Sequence, residues 1–345
     1  MSAAARPGEL EERLAGYARA TRTAMEDFLE SGQPSKYLYD LIRDYPRRAG
    51  KGIRPALLLA SCQAHGGSLR EALGPAVALE MLHNAFLIHD DLEDASPRRR
   101  GAATLHEVHG VALAVNAGDA LAALALQPLM ESSVLGSRVS RRLIEEFLLM
   151  IRQTTEGQAL ELGWRRDNVV DLGPADYLRL VVKKTCWYTT VAPLRLGAIV
   201  GSRDTAALDS LSRFGLYLGI AFQIRDDLLS MLGSCERHGK EALGDIREGK
   251  RTLMLIHLLA TAAGRDRAEV VDYLASAESE RTLVDGLRVL ELMEAYGSLA
   301  FAREYADGMM VAACEAFDDA FAGARGAAAT EFIRELIPYV ITRTV

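Results

Sequence analysis

The chain has 345 residues, 49% of them hydrophobic and 25% charged, with a formal net charge of −7. That composition belongs to a folded globular protein of one large domain or two ordinary ones. The acidic balance argues against nucleic acid as a partner, because binding to a phosphate backbone rests on a basic face. Cys62, Cys186, Cys235 and Cys314 are scattered without a CxxC pair, and are expected as buried thiols in a reducing compartment. The amino-terminal M-S-A-A-A-R-P-G-E-L-E-E has no apolar signal-peptide core. No uninterrupted apolar run approaches the ~20 residues of a membrane span, so a soluble, cytoplasmic protein without a transmembrane segment is expected.

Taken in order, almost every segment carries the helical period and none carries a strand-length Val/Ile/Thr alternation. Glu9 to Ser31 reads as a first amphipathic helix, with Leu14, Tyr17, Ala18, Thr21 and Met25 on one stripe. A short helix follows near Tyr37 to Asp44. In Gly50-Lys51-Gly52-Ile53-Arg54-Pro55 the proline opens a helix over Ala56 to His65. Lys51 and Arg54 then stand at a helix start, where dipole and side chains both favour an anion; an ordinary loop-to-helix junction is the plainer reading.

The next helix, Glu71 to His89, runs into L-I-H-D-D-L-E-D-A-S-P-R-R-R-G, from Leu87 to Gly101. Asp90, Asp91, Glu93 and Asp94 sit near the carboxyl end of that helix, and Arg98, Arg99 and Arg100 follow. The dipole disfavours each anion there by roughly 0.3–1 kcal/mol, and mutual repulsion adds to the cost. A solvated surface cluster gains nothing from this placement, whereas a hard cation compensates it. Asp90 and Asp94 share a helix face at i,i+4, so both carboxylates reach Mg²⁺ ions shared with a phosphate. His83 lies two turns before Asp90, where a lone histidine is commonly a satisfied core residue.

Val111 to Met130, apolar and rich in Ala and Leu, reads as buried all round. Ser140 to Leu162 is a further helix, and Pro174 begins one running through Lys184. Lys183-Lys184-Thr185 interrupts an apolar run, and a lysine inside a bundle needs an anionic partner. Gly197 and Gly201 are read as ending the segment that follows. Thr205 to Leu232 carries a second pair, Asp226-Asp227, in F-Q-I-R-D-D-L-L-S. A Gly-rich loop with Lys240, Lys250 and Arg251 comes next, then four helical stretches reaching Pro338. Gly244 to Lys250 imitates a phosphate-binding P-loop, but Arg251 stands where Ser or Thr is required and no strand precedes it, which excludes an NTPase. Asp318-Asp319 reads as solvated surface. No linker or repeat divides the chain, so one all-α domain over 1–345, an antiparallel bundle around a central apolar cavity, is the expected architecture. In it residues 1–35 form an amino-terminal helix region and 50–252 the motif-bearing core.

These motifs, in this order, resemble the trans-isoprenyl diphosphate synthases, the polyprenyl synthetase family. The resemblance rests on G-K-x-x-R from Gly50, H-x(6)-D-D-x-x-D-x(4)-R-R-G from His83, Gly157-Gln158, Lys184-Thr185, F-Q-x-x-D-D from Phe222 and the Gly/Lys loop. It implies Asp90 and Asp94, with Asp91 beside them, and Asp226 with Asp227, as ligands for about three Mg²⁺ ions on an allylic diphosphate (dimethylallyl, geranyl or farnesyl). Arg99, Lys184 and Lys240 are placed like direct contacts to that diphosphate, with Gln158 and Lys250 also on the substrate side. Lys51, Arg54, His83 and Arg100 resemble the isopentenyl diphosphate pocket, and Thr185 and Gln223 match positions whose oxygens face a developing allylic cation. A homodimer is implied, with Val111 to Met130 as candidate interface.

One departure stands out: the family has D-D-x-x-D at the second site also, and Ser230 replaces its last aspartate here. Activity is expected, with altered metal binding. Two alternatives stay open: a terpene cyclase of the same fold, against which the second diphosphate pocket argues, and a non-catalytic regulatory subunit. The residues one turn above Asp90, Ala85 and Phe86, resemble the floor of the chain-length channel. One Ala and one Phe in place of two aromatics leave a deeper channel and favour a twenty-carbon, geranylgeranyl product.

Overall fold

The computed structural model describes residues 8–30, 32–48, 50–130, 134–232 and 243–342. Among these the chain forms α1 (Glu9–Phe28), a π turn (Ser35–Tyr39), α2 (Asp40–Ile42), α3 (Asp44–Arg47), α4 (Ile53–Ala64) and α5 (Leu69–Glu93). A hairpin of β1 (Arg98–Arg99) and β2 (Ala102–Ala103) follows, then α6 (Leu105–His109), α7 (Val111–Leu124), α8 (Gln127–Met130), α9 (Ser137–Arg166) and α10 (Pro174–Val181). A π-helix (Val182–Val191) leads to α11 (Ala192–Ser202), α12 (Leu208–Leu232), α13 (Gly244–Glu248), α14 (Leu253–Thr261) and α15 (Gly264–Ala275). A 3₁₀ turn (Glu278–Glu280), α16 (Leu283–Ala295), α17 (Ser298–Ala320) and α18 (Ala327–Thr342) complete it. The fold is all-α, as the hydrophobic period requires.

The chain divides into two compact units. The first comprises 1–149, 189–212 and 317–336. Its axis is α5, opened by a capping box in which the Ser68 amide and hydroxyl both donate to Glu71 at 2.8 Å. Ala76, Val77, Leu79, Met81, Leu82, Ala85 and Ile88 are buried around its whole circumference, so the helix is held by apolar burial on every side. Against α4 lies α11, at a distance only glycine permits. A Cβ on Gly197 would fall 2.2 Å from the Leu58 carbonyl, and one on Gly201 2.3 Å from that of Cys62.

The second unit comprises 150–188, 213–316 and 337–345. At its centre is α14, whose Leu253, Met254, Leu255, Ile256, Leu258 and Leu259 are all buried. Thr252 caps it through the Leu255 amide at 3.3 Å. Phe214, Leu218 and Leu228 of α12, Val270 and Leu274 of α15, and Val289 and Met293 of α16 make up the rest of this core.

Several expectations are corrected. The helix at Pro55 starts two residues earlier, at Ile53, with Gly52 in the left-handed region at φ 63°. Gly197 lies inside α11 instead of ending it, because its role is close approach to α4. Five α-helices, not four, follow Lys250, and Pro338 is within the last of them. Helix α7 is not buried all round: Ala114, Ala117, Gly118 and Leu121 are buried, while Val111 and Val115 are exposed. Residues Val111–Met130 form the one stretch among those described that is long and apolar enough to cross a membrane, by length and composition only, and 28% of its apolar 18-residue window is buried. Cys62 and Cys186 are buried thiols but Cys314 is exposed; Cys235 is outside the described residues.

Gly197→Ala is expected to destabilise by about 1–3 kcal/mol through overpacking against α4, beyond any gain in helix propensity. Gly16→Ala, where a Cβ meets nothing within 4 Å, is expected to stabilise by roughly 0.5–1 kcal/mol. Thermal melts of both variants beside the parent check the opposite signs.

Candidate active site

The carboxyl end of α5 carries the first acidic cluster, and the chain turns back over it at once. Arg98 pairs with Ala103 and Arg99 with Ala102, leaving Arg100 and Gly101 as a two-residue turn at φ 52° and 78°. Two successive positive φ values suit the twist of such a hairpin, which explains the glycine. The hairpin swings Arg99 onto the helix end: its Nε donates to Asp91 Oδ1 at 2.7 Å, and Nη2 reaches Asp91 and, at 3.4 Å, Asp90. The other oxygen of Asp91 accepts the phenol proton of Tyr45. Both oxygens of this buried carboxylate are thus engaged, and burial holds its pKa above the usual range despite Arg99. Arg48 secures the hairpin from α3, donating to the carbonyls of Arg99 at 3.2 Å and Ala103 at 2.7 Å while stacking over the Tyr45 ring. Asp90 is half-buried, and Asp94, which ends the helix, is 4% exposed.

The cations of the same unit form a second group. The Arg100 guanidinium lies against Gly50, where a Cβ would fall 2.7 Å from it, and donates to the Arg48 carbonyl at 2.5 Å. Arg54 Nη1 is 3.4 Å from Nε2 of the buried His83. A guanidinium only donates, so the nitrogen facing it is the imidazole lone pair and His83 is neutral. Burial, then the charges of Arg54, Arg100 and Arg99, depress its pKa well below the ordinary value. Glu80, one turn earlier, is the anion among these cations; burial raises its pKa, against the pull of Arg54 and Arg100. Lys51 is exposed beside Gly52, Ala85 is fully buried on α5 and Phe86 is half-buried.

In the second unit, Asp226 is exposed on α12 and Asp227 is buried. Asp227 accepts from Tyr177 at 2.8 Å and from the Gln223 amide at 2.6 Å. Burial, then the charge of Asp245, pushes its pKa up. Because the Gln223 amide nitrogen is committed to Asp227, its oxygen is turned to accept the Thr185 hydroxyl at 2.8 Å. Thr185 and Lys184 lie in the π-helix. Lys184 donates to the buried Glu161 at 2.6 Å, and Lys183 pairs with Glu156. The anionic partners required by lysines in an apolar run are therefore present. A Cβ on Gly157 would fall 2.3 Å from the Lys184 amide nitrogen, so that glycine lets the π-helix backbone seat against α9; Gln158 beside it is half-buried. Lys250 bonds Glu248 at 2.5 Å and lies 3.6 Å from Asp245. Arg251, placed where a P-loop needs a hydroxyl, is buried and donates to the Val169 and Gly249 carbonyls and to Asn168. Lys240 lies outside the described residues.

Residues 35–289 match the family model of polyprenyl synthetases. The geranylgeranyl diphosphate synthase of Mycobacterium tuberculosis is 35% identical over 277 residues, 79% of this chain and 76% of that protein.

The chain belongs to the polyprenyl synthetase family.

It is a trans-prenyl diphosphate synthase, a prenyltransferase of isoprenoid biosynthesis. The crystal structure of the geranylgeranyl pyrophosphate synthetase of Pyrococcus horikoshii superposes with a TM-score of 0.86 at 29% identity, over 98% of this chain and 99% of that one. The Corynebacterium glutamicum geranylgeranyl pyrophosphate synthase, solved with isoprenyl diphosphate and magnesium, gives 0.81 at 26% identity over 98% of both chains.

The donor set of this synthase fits a hard divalent ion. The helix faces offer oxygen ligands only, and among the described residues no three His, Cys, Asp or Glu side chains converge on one ion. Mg²⁺ suits such a surface, because it is held by one or two carboxylates, water and the substrate's own phosphates instead of a closed protein cage. The resemblance places Asp91 and Asp227 among the ligands; in the structure Arg99 and Tyr45 bond the oxygens of Asp91, and Tyr177 and Gln223 those of Asp227. Tyr45, Arg48, Glu161 and Tyr177 stand just outside the motifs and carry no spacing signal of their own. Only the general requirement that a buried lysine find an anion pointed toward Glu161.

His83 also sets a pH dependence. Its native pKa lies below the unfolded value of about 6.5, so below that pH the unfolded chain binds a proton that the native chain refuses, and stability falls as pH falls. The parent is expected to lose up to about 1.4 kcal/mol per pH unit relative to His83→Gln below pH ~6.5. Denaturant midpoints of the two proteins between pH 7.5 and 5.5 measure the difference.

Proposed function

We propose that the synthase condenses isopentenyl diphosphate with an allylic diphosphate to make a short-chain trans-prenyl diphosphate, geranylgeranyl diphosphate, in a magnesium-dependent reaction. The observation that carries this reading is the pair of guanidinium groups of Arg54 and Arg100 around the neutral His83, with Lys51 beside them in sequence, apart from the acidic helix ends. A second diphosphate needs such a group. A cyclase working on one allylic substrate does not.

Asp90 and Asp94 would hold Mg²⁺ in the first unit, and Asp226 in the second. Bound there, the ions supply charge neutralisation for the departing pyrophosphate. Asp91 and Asp227 we assign to positioning, since Tyr45 and Arg99 fix the first and Tyr177 and Gln223 the second. Arg99, Lys184 and Lys250 add cationic contacts, joined by Gln158 and by Lys240 from sequence alone. As the allylic C–O bond breaks, positive charge grows on the hydrocarbon, and lone pairs on Thr185 and Gln223 stabilise it by oriented dipoles. The Thr185 proton is already spent on Gln223, so the hydroxyl would meet a cation with oxygen lone pairs. The isopentenyl double bond attacks the cation, a carbon–carbon bond forms, and the proton then lost passes to the released pyrophosphate.

The exposed valines of α7, Val111 and Val115, with Val108, Met130 and Val134 nearby, fit a homodimer interface in which a second copy covers this apolar face. The working enzyme is read as a cytoplasmic homodimer acting through the whole chain as one catalytic domain.

Purified protein with both substrates and Mg²⁺ is expected to yield the C20 alcohol after dephosphorylation. A cyclic hydrocarbon from the allylic substrate alone, or no turnover, would replace this reading by a cyclase or a regulatory subunit. Asp90→Asn is expected to lower kcat by about 10²–10³-fold, on the scale of losing one charge-stabilising group. Ala85→Phe fills a fully buried position one turn above Asp90 and is expected to shift the product from C20 toward C15 on chromatography. An unchanged product length would place the floor of the channel elsewhere.

A further inference from the structure

The two acidic helix ends of this chain differ. Asp90 is followed one turn on by Asp94, whereas the matching position after Asp226 is Ser230. Residues at i,i+4 share a helix face, so Ser230 occupies the place where a second carboxylate would stand beside Asp226. Its hydroxyl is not idle there. It lies 2.7 Å from its own helix's Asp227 carbonyl and in hydrogen-bond contact with the Asp245 carboxylate, 15 residues further along the chain. Asp245 therefore brings a carboxylate to the α12 face one turn from Asp226, at the position the spacing leaves vacant.

Asp245 is held in this place by its surroundings. It lies in the first turn of α13, which begins after Leu243 at φ 62° and ends at Gly249 at φ 70°. The Lys250 amide donates to the Asp245 carbonyl at 2.9 Å, Ile246 is buried, and Arg281 donates to the Arg247 carbonyl at 2.6 Å. Arg251 spans the turn from Gly249 to Asn168 and Val169. Asp227 is met by phenol and amide donors and Asp245 by the Ser230 hydroxyl and the Lys250 ammonium, and Asp245 adds to this face an acidic group that a divalent ion would relieve.

We propose that Asp245 supplies the carboxylate that Ser230 lacks, completing with Asp226 the second metal-binding face, with the Ser230 hydroxyl as its anchor. This inference rests on the magnesium-dependent reading above. Asp245 then acts on the ion directly or through its water shell. The serine is an exchange of origin, a side chain from α13 in place of one from α12, and not a loss of metal-binding capacity.

The test titrates Mn²⁺ into the full-length protein with inorganic pyrophosphate present and reads free Mn²⁺ by EPR. The ion class lost in Asp226→Asn is expected to weaken about tenfold or more in Asp245→Asn, the scale on which partners of a metal ligand act. Moving the carboxylate back, in Asp245→Asn/Ser230→Asp, is expected to restore it to within ~3-fold of the parent, well inside that loss. Asp245→Asn binding like the parent, or a double variant no tighter than the single, overturns the proposal. If Asp245→Asn melts too low to assay, Ser230→Ala keeps every charge and removes only the anchor. A weaker second ion class in that variant supports the proposal, and unchanged affinity overturns it. A parent that binds no Mn²⁺ overturns the metal reading itself, which separates failure of the proposed function from failure of this inference alone.

Discussion

A carboxylate near the carboxyl end of a helix faces the negative pole of the backbone dipole, and the organisation around this synthase's chemistry follows from placing acids there. On α5 the charge is met by a hairpin whose two left-handed residues carry Arg99 back over Asp91, and by Tyr45 from α3. The buried Asp91 depends on both. Removing one partner of a buried charged pair costs about 3–5 kcal/mol, so these contacts are structural as well as chemical. They also divide the labour among neighbours: Asp91, satisfied by protein, sets the geometry, and the proposed ion contacts fall to Asp90 and Asp94.

The second unit solves the same problem with different donors. Tyr177 and Gln223 take the two oxygens of Asp227, and the commitment of the Gln223 amide decides which way its carbonyl points. One buried acid thereby orients an amide, the amide orients a hydroxyl, and the dipoles that would meet a carbocation are arranged before any substrate arrives. Preorganisation of this kind is where protein electrostatics exceed those of water, since no dipole has to turn during the reaction.

Much of this was legible in the sequence, for physical reasons. The all-α fold follows from the 3.6-residue period, and the acidic helix ends were visible because their placement is costly unless compensated. The demand that Lys183 and Lys184 find anions is a statement about burial, and Glu156 and Glu161 answer it. What stayed hidden depends on contacts between distant segments. Tyr45 and Tyr177 look like ordinary core aromatics until their hydroxyls are placed. Gly197 looked like a helix terminator because a glycine needed for close approach and one needed for a turn are the same letter. The apolar run of α7 looked like a core helix because composition does not say which face of a helix stays exposed. The π-helix around Lys184 has no sequence period distinct from the α-helix on either side.

The ion pair between Lys184 and Glu161 bears on turnover. If Lys184 grips the leaving group as proposed, it does so by exchanging one anion for another, never passing through a bare ammonium stripped of water. Seating the substrate then requires little net desolvation of that lysine. The same carboxylate stands ready to reclaim it when pyrophosphate departs, so a strong hold during ionisation need not become a slow release afterwards.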